Sequence, residues 1–220
     1  MLSPNKDLRR AIKKSQHCQR NWDLTKQIPK EDFDTFIEAA TRCPSKQNVA
    51  FYKVHMIRNR TLIEAVHEYT RGFRMTTDSQ SDCVTHSQDL ANLLVLFEDI
   101  DLNLLERTDQ LRNDHTRTLS SGVNLTTKIL SDLTRDKHMA VGIAAGYLNL
   151  TASLLGYSTG CCACFSSSEI MNILGLTKPP LLLMGIGYPN KNLGRRVHHL
   201  DQNFIFPTKR KQPIEVNIFD

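Results

Sequence analysis

Apolar positions along the chain recur with two periods, and the changes of period mark the elements. In "IPKEDFDTFIEAATRC" (28–43), Phe33, Phe36, Ile37 and Ala40 share one helical face. Acids fill the first turn, where they suit the helix dipole, and Pro44 ends the helix. "AFYKVHMI" (50–57) reads as a strand, and "TLIEAVHEY" returns to the helical period. "ANLLVLFE" (91–98) is apolar without strict alternation, the pattern of a buried strand. Segment 99–135 is polar with scattered leucines and reads as one or two helices. "KHMAVGIAAGYLNLTASLLGYS" (137–158) is long, apolar and rich in small residues, which predicts a central helix packed on more than one side. "SSSEIMNILGL" predicts a short helix starting near Ser167, with serine at its cap and an acid in its first turn. "PPLLLMGIGYP" predicts a central strand. In the tail "PIEVNIFD", Ile214, Val216 and Ile218 alternate, as in a strand with one face covered. Nothing repeats and no linker divides the chain. These elements predict one α+β domain over residues 1–220.

Composition narrows the picture. At 220 residues the chain can build one sizeable core. No apolar run approaches the roughly 20 residues that span a bilayer. The basic start "MLSPNKDLRRAIKK" lacks the apolar stretch of a secretory signal, so a cytoplasmic protein off the membrane is expected. The net charge is +5, with basic runs at both ends ("RRAIKK" and "KRK" at 209–211). No zinc finger, RNP motif or similar module accompanies them, so nucleic acid is not expected as a partner. A phosphorylated small molecule suits this modest surplus better.

Six cysteines raise the question of chemistry, because Cys161, Cys162 and Cys164 crowd into "GYSTGCCACF". Structural zinc sites usually join two separated ligand pairs, and no second pair exists here, so no metal is expected. Cys161 and Cys164 form a CxxC spacing without the strand context of a thioredoxin-like unit. The simplest reading is a compact bend of small side chains between two helices.

Four stretches, in order, resemble one family. "HCQRNW" (17–22) resembles the Arg/His-Ser-x-Arg/Lys motif near the start of the nitroreductase-like FMN-dependent oxidoreductases. "CPSKQN" (43–48) resembles their Ala-Pro-Ser-x-x-Asn turn. "GIAAGYLNLTASLLGYSTGCCACF" resembles their central helix and the bend after it. "SEIMNILGL" with "PPLLLMGIGYP" resembles their closing helix and strand. The likeness covers roughly 15–60 and 137–200 and does not extend through 61–136.

The resemblance implies a nitroreductase-like α+β fold, a central, mostly antiparallel sheet flanked by helices, in an intertwined homodimer. It implies FMN at the dimer interface, NAD(P)H as electron donor, and hydride passed through flavin N5 to a nitroaromatic, quinone or similar small acceptor. His17, Cys18 and Arg20 would serve the phosphate and ribityl region, and Arg195 and Arg196 would close over the phosphate. Pro44, Ser45, Gln47 and Asn48 would reach the polar edge of the ring. Cys161, Cys162, Ala163 and Cys164 would wall the flavin, with no separate catalytic acid or base. Segment 61–136 would form a variable lid or helical region, and 207–220 an arm reaching the partner subunit. The chain departs from the family pattern at Cys18, where serine is usual, and in the bend, which lacks the usual Trp and glycines. Two other readings stay open: the same fold with different flavin chemistry (dehydrogenation, dehalogenation or flavin breakdown), and a flavin-binding protein without enzymatic activity.

Overall fold

The computed structural model of the chain describes residues 4–74, 83–101, 125–207 and 211–219. Its helices are α1 (Pro4–Ser15), α2 (Lys30–Thr41), α3 (Arg60–His67), α4 (Leu125–Leu154) and α5 (Ser167–Leu174). Its strands are β1 (Lys53–Ile57), β2 (Arg71–Arg74), β3 (Cys83–Thr85), β4 (Leu93–Glu98), β5 (Ser158–Cys162) and β6 (Pro180–Gly187). β1, β4, β6 and β5 lie in that order in one sheet, every pair antiparallel, and β2 and β3 form a separate antiparallel ribbon.

β4 explains why its sequence shows no alternation. All six of its residues are buried, because helices cover both faces of the sheet. Leu93, Val95 and Phe97 point into one core with Phe36 and Ala40 of α2 and Val141, Ala144 and Leu148 of α4. Leu94 and Leu96 point into the opposite core with Trp22, Ile63 and Val66 of α3, and Ile170 of α5. The period-2 alternation is present, but both sides of it are apolar.

α4 runs for 30 residues, about 45 Å at 1.5 Å per residue. It joins the expected helix at 137–158 to part of the polar stretch before it. It stops at Gly156, whose φ of +94° suits a residue without Cβ. The Tyr157 N–H donates to the Ala152 carbonyl at 2.8 Å, and the Gly156 N–H to Ser153 at 3.3 Å, which closes the helix in a Schellman motif. Among the described residues no helix is long and apolar enough to cross a membrane.

Four elements differ from the sequence reading, among them the β2–β3 ribbon, where no strand was expected. α1 was not expected, since only Ala11 of its short apolar stripe is buried. It is held at its end by Lys14 Nζ, which donates to the Gly156 carbonyl at 2.6 Å at the negative end of α4. The supposed bend at 161–164 is in large part strand. Cys161 and Cys162 lie in β5 opposite Met184 and Leu183, and only Ala163 and Cys164 leave the ladder. The tail carries no strand pairing at 211–219 among the described residues, and Ile214, Val216 and Ile218 are 75–79% exposed. The part of the polar helical expectation at 102–124 lies outside the described residues.

Candidate functional site

Gly160 decides how the site is built. A Cβ there would lie 2.7 Å from both the Gln19 carbonyl oxygen and the Gln88 Cβ. Only glycine lets both segments close down on β5. The "HCQR" segment therefore runs along the outer side of β5. Cys18 bridges Thr159 in parallel, and the Gln19 N–H donates to the Thr159 carbonyl at 2.8 Å. Asn149 of α4 fixes this corner, donating to the Ser15 carbonyl and accepting from Thr159 Oγ1.

Three of the four predicted groups meet here. The Arg20 N–H donates to the Arg195 carbonyl at 3.1 Å. His17 titrates below the ordinary imidazole range, through burial and then through the nearby charges of Arg195 and Lys211. Arg195 and Lys211 thus bring positive charge to His17, which itself stays neutral near neutral pH. Beside it lies an open groove of about 710 Å³ lined by Gln16, Lys211, Gln212, Pro213 and Ile214. Arg196 is exposed, and its carbonyl accepts from the Phe206 N–H.

Arg20 turns inward. Its Nη1 donates to Gln88 Oε1 at 2.5 Å and lies 3.3 Å from His86 Nδ1. Its guanidinium carbon sits 4.1 Å over the Phe206 ring, in cation–π contact. Its Nε and Nη2 donate to no partner among the described residues, leaving three N–H groups for a ligand.

The two central thiols face opposite sides of the sheet. Cys161 packs toward the α2–α4 core and Cys162 toward the α3–α5 core. Burial pushes both thiols up to about 12, so neither is a ready thiolate near neutral pH. Ala163 and Cys164 are exposed, and the Cys164 carbonyl accepts from the Cys162 thiol. Among the described residues no group of three His, Cys, Asp or Glu is arranged to hold a metal.

The fourth group lies elsewhere. Pro44 and Ser45 lead into a 3₁₀ turn holding Gln47 and Asn48, and Asn48 sits at φ 57° in the left-handed region that asparagine tolerates. The Ser45 hydroxyl donates to the Val49 carbonyl at 2.9 Å, so it serves the turn itself. A hollow of about 420 Å³ adjoins, bounded by Cys43, Asn48, Tyr52 and Val54. This turn is tied to Asp136 of α4 through Lys46, while the first cluster is tied to Asn149. Those anchors lie thirteen positions apart along α4, roughly 20 Å.

Sequence reasoning missed His86, Gln88, Phe206 and Lys211. The polar run "THSQD" just before the buried strand β4 was the available signal, since polar loop residues on a rigid scaffold commonly carry function.

The antiparallel sheet with helices on both faces defines an α+β fold class. Within that class the chain belongs to the Nitroreductase family, whose sequence model matches residues 14–188. A nitroreductase from Exiguobacterium sibiricum in complex with FMN shares 15% identity, covers 93% of each chain and superposes with a TM-score of 0.61. The ydfN nitroreductase of Bacillus subtilis shares 12% identity over 96% of each chain, with a TM-score of 0.64. A Staphylococcus epidermidis structure described as an NAD(P)H:FMN oxidoreductase shares 18% identity, covers 84% of this chain and 87% of its own, and has a TM-score of 0.60. At these identities the likeness speaks for the fold. No curated protein sequence matches.

Proposed function

We propose that the protein is a homodimeric, FMN-dependent oxidoreductase that takes hydride from NAD(P)H and passes it to a small acceptor such as a nitroaromatic or quinone. The observation that carries this reading is the meeting of "HCQR", β5 and Arg195 at one edge of the sheet, with cations gathered beside an open groove. The donor set suits a flavin monophosphate. Arg195 and Lys211 supply positive charge, and His17 a ring N–H, for a phosphate dianion. The open N–H groups of Arg20 suit the polar edge of the ring, where a fixed cation favours added electron density. Bound FMN supplies the redox centre, and the protein supplies orientation and charge. The FMN complex of the Exiguobacterium relative and the description of the Staphylococcus one support the choice of cofactor and donor.

The 20 Å between the two groups argues for a second chain. α4 leaves Met139 and Tyr147 exposed, and a Cβ built on Gly142 or Gly146 would meet nothing within 4 Å. This face is free to take a partner helix at close range. If two α4 helices cross antiparallel about a two-fold axis near residues 142–146, the Asn149 end of one meets the Asp136 end of the other. The turn at 44–48 of one chain would then complete the cluster of its partner, and the tail could pair with the partner's sheet edge.

The test is anaerobic. Purified protein titrated with FMN should take up about one flavin per chain, lose its yellow colour with NADH or NADPH, and regain it with a quinone or nitroaromatic. No uptake at excess FMN, or uptake of FAD alone, would sink the reading.

A further inference from the structure

Gln88 is 3% exposed and bonds in two directions. Its Oε1 accepts from Arg20 Nη1 at 2.5 Å, and its Nε2 donates to the Cys161 carbonyl at 3.1 Å. The orientation of the amide is not a matter of choice. A guanidinium can only donate and a backbone carbonyl can only accept, so the amide oxygen must face Arg20 and the nitrogen must face β5. His86 adds a second constraint. Its Nδ1 lies 3.3 Å from Arg20 Nη1 and 3.2 Å from Gln88 Nε2. Both neighbours are donors, so this nitrogen is the acceptor and the ring proton sits on Nε2. Burial and the Arg20 charge both lower the affinity of His86 for a second proton, in keeping with that role.

The backbone around Gln88 is equally constrained. Cβ atoms on Gly160 or Gly185 would overlap it, so the residue is wedged against β5 and β6. Phe206 closes the other face of the Arg20 guanidinium. One nitrogen of Arg20 is thereby fixed to the protein, and Nε and Nη2 are left over.

Building on the flavin reading above, we propose that Gln88 is the positioning residue of Arg20. It holds the cation in register with the Cys161 strand, so that the open N–H groups of Arg20 address the flavin ring. Gln88 acts through Arg20 and makes its contribution only while Arg20 is present.

A double-mutant cycle tests this. Gln88→Met keeps the volume and removes both hydrogen bonds. Gln88→Glu keeps the Arg20 partner but sets a carboxylate against the Cys161 carbonyl. The reduction potential of bound FMN is measured by dye equilibration for wild type, Gln88→Met, Gln88→Glu, Arg20→Ala and Arg20→Ala/Gln88→Met. Circular dichroism checks folding. Gln88→Met should lower the preference for reduced over oxidised FMN about tenfold, a drop of about 30 mV. Gln88→Glu should lower it too, since its charge offsets that of Arg20. In the Arg20→Ala background, Gln88→Met should add no further shift. An equal drop in both backgrounds, or none in either, overturns the proposal.

A second readout needs no flavin. In the free protein, the guanidinium ¹⁵N signals of Arg20 should show restricted rotation that is released in Gln88→Met. Unchanged signals overturn the positioning role. Absence of FMN binding by a wild-type protein with restricted signals overturns the flavin reading alone.

Discussion

His199 shows how a single half-buried side chain sets the pH response. Its Nδ1 accepts from the Trp22 N–H at 3.2 Å, and burial, followed by the charges of Arg60, His198 and His67, lowers its pKa to about 4. An unfolded imidazole titrates near 6.5. Between those values the unfolded chain binds the proton that the folded chain refuses, so stability falls as pH drops from about 6.5 toward 4. At pH 5 this one residue should therefore make the folded protein less stable than at pH 7. His86 and His198 are lowered in the same direction, first by burial. Urea midpoints should therefore decline between pH 7 and pH 5, with a shallower slope in His199→Gln. A flat wild-type profile would contradict this. The cysteines give a second expectation. Cys18 and Cys164 are exposed, whereas Cys162 is buried with its thiol pushed up to about 12. Brief alkylation near neutral pH, mapped by mass spectrometry, should label Cys18 and Cys164 well before Cys162. Early labelling of Cys162 would mean that β5 opens readily.

At the scale of elements, β5 depends on what it lacks. Alanine at Gly160 would press on Gln19 and Gln88, and overpacking of this kind typically costs about 1–3 kcal/mol. Gly160→Ala should lower the thermal midpoint and weaken FMN binding together, because the same contact seats "HCQR" on the sheet. Unaltered FMN affinity in a destabilised Gly160→Ala protein would separate the two roles. The same strand marks the limit of what the sequence could tell. α2, β4, β6 and α5 were legible because long apolar runs or a helical period, closed by Pro or Gly, leave few alternatives. β5, "STGCC", has only Thr159 among the β-branched and aromatic residues that signal a strand. It is a strand because β6 lies on one side and the Cys18 segment on the other. α1 escaped notice because its stability comes from docking on α4, and the β2–β3 ribbon because its strands are only four and three residues long. For the site, "HCQR" and "GRR" were readable as chemistry, and the structure joins them through Arg20 and Arg195. Gln88 was not, since its meaning lies in a contact 68 positions away in sequence.

On the scale of the whole molecule, the exposed face of α4 is where the proposed assembly is most open to attack. Gly146 is exposed and nothing lies within 4 Å of a Cβ added there, so Gly146→Arg should fold as a single chain. It should nevertheless fail to pair, giving a monomer mass by light scattering and losing FMN. A dimer that persists with flavin bound would place the interface elsewhere. The separation of the two residue groups along α4 has a genetic corollary. A chain crippled at Arg20 and a chain crippled at Asn48 would each be silent alone, for different reasons. Mixed by unfolding and refolding together, they would form hybrids in which one composite site inherits both defects and the other inherits neither. Random assortment puts half of the dimers in that class, so about a quarter of the wild-type sites should reappear from two dead parents. Such alleles would complement one another in a cell expressing both, and a gene for this protein would show recessive lesions that rescue each other within a single locus.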